Sequence, residues 1–144
     1  MDAIERLTIE ADCTRLMTEF AKCSDTFAYE RALELFVPDC RFSRADETFD
    51  GHEGLRFALS RRPLDRMTRH IVSNVLIDID GPDAATGEAY SLVFGHKGAL
   101  AEAEEAPLGA PDSLIHYHAG FMRTQAGWRI RTWHIGLAFR KRAA

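Results

Sequence analysis

Apolar residues recur at two different periods along this chain, and the change from one to the other divides it. Ile9, Cys13, Leu16, Met17 and Phe20 follow three- and four-residue spacing, which places them on one face of a helix. The polar stretch CSDT interrupts the pattern, and Ser24, Asp25 and Thr26 are residue types that cap a second helix. That helix carries Phe27, Tyr29, Ala32, Leu33 and Phe36. It stops before Pro38, because the residue ahead of a proline is crowded out of helical geometry. A short strand is expected over residues 40–44, then a third helix capped by Asp50 and reaching Leu59, with Pro63 closing the segment.

Beyond Pro63 the period falls to two. Ile71, Val75, Ile77 and Ile79 alternate with His70, Asn74 and Asp78, predicting a strand with one apolar and one polar face. DGPDAATG has the Gly, Pro and Asp content of a hairpin turn. The strand over residues 88–96 then puts Tyr90, Leu92, Phe94 and His96 on one face. Residues 97–111, KGALAEAEEAPLGAP, have no apolar periodicity and are expected to form a long, mobile hairpin loop near one end of the sheet. SLIHYHAGFMRT and WRIRTWHIGLAFR resume strand patterning around a tight turn at QAG. This order predicts an α+β fold: a cone-shaped, curved antiparallel sheet with three N-terminal helices packed across its concave face. The open end of such a cone is a pocket. No repeat or break in composition divides residues 1–144, so a single domain is expected.

With 144 residues, 46% of them hydrophobic, the chain can bury one core. A net charge of -4 argues against a nucleic-acid surface, and Arg140, Lys141 and Arg142 read as a solvated tail. No run approaches the ~20 apolar residues of a membrane helix. The acidic, helical MDAIERLTIEADC is unlike a secretory leader, so a cytoplasmic location away from membranes is expected. Cys13, Cys23 and Cys40 form no CxxC pair and read as reduced, buried thiols.

There is no GxSxG elbow, no glycine-rich phosphate loop and no Walker lysine, so no cofactor is expected. What remains is proton transfer among Asp25, His70, His96, His116, His118 and His134. His116 and His118 share a strand face, one toward the cavity and one at its rim. No acidic residue or cysteine stands near them at ligand spacing, so no metal is expected. His134 opposes Trp133 and Ile135 and reads as exposed. Tyr29, Phe42, Tyr90, Phe94, Tyr117, Phe121 and Trp133 are candidates for an aromatic lining, and Asn74 shares the face of His70 deeper in the pocket.

The stretches CSDTFAYERALELFVPDCRF, FDGHEGLRFAL, TRHIVSNVLIDID and AGWRIRTWHIGLAF carry a resemblance that spans nearly the whole chain. The chain resembles the SnoaL-like branch of the nuclear transport factor 2-like superfamily, and within it the scytalone dehydratase-like enzymes. In such dehydratases an aspartate just before the second helix pairs with a histidine at the start of the second strand, and Asp25 and His70 stand at those positions. The resemblance implies that Asp25 fixes the tautomer of His70 and leaves the other ring nitrogen as a base facing the pocket. The dehydratases also place a tyrosine before that aspartate and another on the first strand; here Ser24 and Arg44 stand there, and a second family histidine is matched by His96 one residue out of register.

The expected function is a cofactor-free lyase or isomerase acting on a small cyclic or aromatic substrate, with Asp25 and His70 catalytic. His96, His118, Tyr29, Tyr90, Tyr117, Asn74 and Phe42 are the expected substrate-binding residues, with His96 or His118 as acid. The alternative is a non-catalytic ligand-binding protein or the small subunit of an aromatic-ring dioxygenase. Apolar residues on both faces of the last two strands predict a homo-oligomer, dimer or trimer.

Overall fold

The structure, a computed structural model, describes residues 1–143. Helix α1 (Ala3–Thr26) starts at Asp2, whose carboxylate accepts a hydrogen bond from the Glu5 amide at 2.8 Å. It buries Ile9, Cys13, Leu16, Met17, Phe20 and Cys23 along one stripe and ends at Phe27, which is left-handed with φ 56°. Ser24, Asp25 and Thr26 are therefore the last residues of the first helix, not caps of a second. The Thr26 hydroxyl donates back to the Lys22 carbonyl at 2.8 Å, and the Ser24 carbonyl accepts from the Arg62 guanidinium. Short polar side chains serve either end of a helix; here Thr26 bonds back to the preceding turn, and Asp25 is engaged by Thr68 and His70, far along the chain.

Helix α2 (Tyr29–Glu34) is consequently only 6 residues long. Phe36, expected on it, instead opens strand β1 (Phe36–Arg44). A hairpin partner that the pattern did not predict, β2 (Glu47–Asp50), leads into α3 (Gly51–Ser60). Asp50 does precede that helix, but its carboxylate pairs with Arg41 at 3.0 Å instead of capping.

The long strands are β3 (Arg66–Ile79), β4 (Ala84–Lys97), β5 (Ser113–Thr124) and β6 (Gly127–Arg140), in an open sheet of order β2-β1-β6-β5-β4-β3. All neighbours are antiparallel except β1 and β6, which run parallel, so the sheet is mixed, not wholly antiparallel. No tight turn joins β1 to β6, and only such turns force antiparallel direction. The helices cover one face, with α1 against β3 and β6 and α3 against β1. Between the layers lie Phe20, Phe42, Tyr117, Ile130 and Trp133, with Phe20 edge-on to Phe36 and to Trp133 at 4.9 Å between ring centres. Cys13, Cys23 and Cys40 are free and buried in this core; burial pushes Cys13 up to about 12 and Cys40 up to about 11, which makes both inert as nucleophiles.

Strand β3 breaks its own alternation. Pairing with β4 shifts between Ser73 and Leu76, and Asn74 takes a left-handed backbone with φ 54°. This is a bulge, at a residue type that tolerates that geometry. Ahead of it Thr68, His70 and Val72 face the helices; after it Val75, Ile77 and Ile79 do. Both sets reach the interior although they differ in parity. Ile71, expected beside Val75, faces outward with 52% of its surface exposed. Asn74 is itself exposed at the bulge and shares no pocket face with His70.

On β4 the buried positions are Ala85, Ala89, Ser91 and Val93, so Tyr90, Leu92, Phe94 and His96 share a face as expected, but the outer one. Gly87 belongs to the inner row. A Cβ there would lie 2.9 Å from Ile77 Cδ1 and 2.8 Å from Phe121 Cε2, so the missing side chain is what lets those two pack. Residues 98–112 join β4 to β5 without helix or strand and are largely exposed. Among the described residues no helix is long and apolar enough to cross a membrane.

The bulge yields a direct test. Deleting Asn74 turns either the His70 half or the Val75 half of β3 outward, and the midpoint of urea unfolding should fall by the equivalent of about 2–5 kcal/mol, the scale of losing large core side chains. Asn74→Gly keeps the left-handed backbone and should stay within about 1 kcal/mol of the parent. A deletion variant as stable as the parent would contradict this register.

Candidate active site

The last turn of α1 and the first half of β3 meet at one carboxylate. Asp25 Oδ1 lies 2.5 Å from His70 Nδ1, and Oδ2 accepts from the His70 backbone amide at 2.9 Å. The Thr68 hydroxyl donates to Oδ1 at 2.9 Å. Both side chains are largely shielded, 9% exposed for Asp25 and 14% for His70. Thr68 and His70 alternate with outward-pointing Arg69, so a two-residue repeat on one strand supplies the hydroxyl, the amide and the ring.

Asp25 sits where the helix dipole is negative, the opposite of the helix start expected from sequence. Burial is the largest influence on its carboxyl and acts to raise its pKa. The His70 ring and amide bonds, the His70 charge and the Thr68 hydroxyl outweigh burial and hold it below the usual aspartate range. An ionised carboxylate only accepts, so the proton on Nδ1 of His70 points at Asp25 and Nε2 is left to the pocket.

Arg62, between α3 and β3, braces this corner. Its guanidinium donates to the Ser24 carbonyl and the Thr68 hydroxyl and lies 4.9 Å over the Phe27 ring. It thus places positive charge at the C-terminal end of α1 and steadies the left-handed Phe27. Neither Arg62 nor Thr68 stood out in the sequence, because nothing local distinguishes a bracing arginine from a solvated one.

The pocket holds about 340 Å³ and opens between α1, α3 and the sheet. His70 lines it together with Tyr29, Phe42, Tyr117 and Trp133, and with Ser24 and Arg44. Its rim is cationic, with Arg44, Arg61 and Arg66; Glu47 pairs with Arg61 at 2.9 Å, and Asp112 with Arg66 at 3.4 Å. The Tyr29 hydroxyl and the Trp133 indole nitrogen are buried and have no hydrogen-bond partner among the described residues. Burial also pushes the Tyr117 phenol up to about 12, so it stays protonated.

Four expected substrate contacts lie elsewhere. His96, His118 and Tyr90 occupy the outer face of the sheet, and Asn74 sits on the bulge. The cause is parity: β4 and β5 turn their small and apolar residues inward, against the helices, and their histidines outward. His116 is on the outer face with His118, so neither reaches the cavity. His134 is exposed as expected, with Nδ1 2.8 Å from the Ser43 hydroxyl.

The lowered carboxyl has a consequence for stability. A group whose pKa is lower in the folded chain stabilises the fold above its unfolded value, about 3.9 for aspartate, and that contribution disappears as pH falls through the folded value. Urea midpoints of the parent should therefore approach those of Asp25→Asn as pH is taken from 7 to 3. A gap that stays constant over that range would show that Asp25 titrates normally.

Comparison with curated protein sequences finds no match. Among solved structures, a Novosphingobium aromaticivorans protein provisionally named scytalone dehydratase superposes with a TM-score of 0.81 at 19% identity, covering 99% of this chain and 95% of that one. LinA gives 0.81 at 17% identity, with 100% and 95% covered. A hexachlorocyclohexane dehydrochlorinase, LinA-type3 of Novosphingobium barchaimii, gives 0.79 at 17%, with 97% and 93% covered. At these identities the likeness is one of fold. The family model of the SnoaL-like domain matches residues 5–134, and the chain belongs to that family.

Proposed function

We propose that the protein is a cofactor-free lyase that removes a proton from carbon and expels a leaving group from a small cyclic substrate. The observation that carries this reading is a histidine lining an open-mouthed pocket, with its inner ring nitrogen held by a buried carboxylate. His70 Nε2 takes the proton, and Asp25 stabilises the imidazolium that forms. The volume of about 340 Å³ suits one or two rings. Aromatic walls from Phe42, Tyr117 and Trp133 suit an apolar body.

His96 and His118 are on the wrong side of the sheet to act as the acid. The Tyr29 hydroxyl takes that place: it lines the pocket, has no protein partner, and can donate to a departing oxygen or halide or to a carbonyl oxygen. The indole of Trp133, from the sheet, is a second donor lining the pocket that has no partner among the described residues. Elimination of water and elimination of hydrogen halide, the reactions named for a dehydratase and a dehydrochlorinase among the similar structures, share this requirement for a base and a leaving-group donor. Isomerisation shares the first step and differs only in where the proton returns.

The test is a panel of small cyclic β-hydroxyketones and chlorinated cyclohexanes incubated in D2O and followed by NMR for elimination products or carbon-bound deuterium. Turnover should fall about 10²–10⁴-fold in His70→Ala, the usual contribution of a general base, with the fold retained. Asp25→Asn should lower turnover less than His70→Ala does, by changing tautomer choice without removing the base. Ligand binding with no exchange or elimination in the parent would favour the non-catalytic alternative.

The outer face of the sheet leaves Ile71, Leu76, Tyr90 and Phe139 exposed, which supports assembly of two or three copies through it. Sedimentation at micromolar concentration should show a dimer or trimer, and a monomer would contradict this.

A further inference from the structure

The outer face carries a cluster that the pocket does not use. In the register of the sheet Glu88 on β4 stands opposite His118 on β5, and His116 lies two residues along β5 on the same face. Glu88 Oε1 is 3.2 Å from His118 Nδ1, and the rings of His116 and His118 are 4.2 Å apart. One ligand atom from each of the three residues falls within 4.8 Å of the other two. Spacing along the chain offers no acidic partner for the His-x-His pair; pairing of β4 with β5 supplies it.

We propose that Glu88, His116 and His118 form a binding site for a divalent transition-metal ion of the zinc class. Ligand atoms about 2.0–2.1 Å from a tetrahedral zinc stand about 3.3 Å from each other. The Glu88–His118 edge already has that spacing, and the His116 ring closes the triangle by a side-chain rotation that its partly open position permits. Two imidazoles and one carboxylate select zinc, nickel or copper over the oxygen-loving calcium and magnesium.

The backbone under the site is rigid for a surface site, because β4 and β5 are both interior strands of the sheet. His134, opposite His118 on β6 and anchored to Ser43, borders the cluster at 6.4 Å between ring centres. The fourth coordination position faces away from the sheet and would take water or a group of the copy that the proposed assembly places against this face. The site is separated from the Asp25–His70 pair by the thickness of the sheet, and the two can be tested independently.

The experiment uses the full chain without a histidine tag, stripped with EDTA, titrated with zinc chloride by calorimetry and with cobalt(II) by visible absorption. The parent should bind zinc saturably and show cobalt d–d bands. His116→Ala and His118→Ala should each weaken zinc binding roughly tenfold or more. Glu88→Gln should weaken it too, while His70→Ala should bind like the parent. Circular dichroism should report an unchanged fold for all of these variants. Zinc binding no stronger in the parent than in the His116→Ala/His118→Ala double variant, or lost equally in His70→Ala, would overturn the site.

Discussion

A buried carboxylate at the wrong end of a helix dipole is the constraint around which the functional half of this molecule is arranged. Asp25 keeps its charge only because three donors, the His70 ring, the His70 amide and the Thr68 hydroxyl, converge on it. To bring them there, β3 must cross directly over the end of α1, and α1 is packed chiefly against β3. Arg62 ties the same junction from a third side, through the Ser24 carbonyl and Thr68. The site and the helix–sheet packing are thus one structure, and a change to either is felt by the other.

The same junction explains why a histidine heads an apolar strand. His70 and the apolar residues Val75, Ile77 and Ile79 differ in parity and would face opposite sides of a regular strand. The bulge at Asn74 reconciles them, placing the histidine toward the pocket and the aliphatics toward the core within one strand. An irregularity of one residue therefore lets β3 serve both as a core element and as a pocket wall.

Much of this was legible in the sequence, and the failures share a physical origin. The change of period at Pro63 marks the four long strands, the irregular connection expected over 97–111 and found over 98–112, and the helical N-terminal half, because these depend on local alternation. Only the family resemblance pairs Asp25 with His70, since spacing along the chain says nothing of their meeting. What local pattern does not carry is which face of a strand looks inward and which residues meet across strands. Chemistry alone points His96, His118 and Tyr90 at the pocket, but the small residues Ala85, Gly87, Ala89 and Ser91 occupy the inner face of β4. Arg62 and Thr68 went unnoticed for a related reason, as their partners lie on other elements. Strand β2 was too short and too exposed to leave an apolar signal.

The central claim is that a neutral His70 carries its proton on Nδ1, toward Asp25, and presents a bare Nε2 to the pocket. ¹⁵N chemical shifts of imidazole-labelled protein at pH 8 read this directly, because the protonated and bare ring nitrogens are separated widely. The expected spectrum has His70 Nδ1 protonated and Nε2 bare in the parent, with the tautomer mixed or reversed in Asp25→Asn. A parent His70 protonated at Nε2, or a tautomer indifferent to residue 25, would contradict the pairing and the proton-abstraction chemistry built on it.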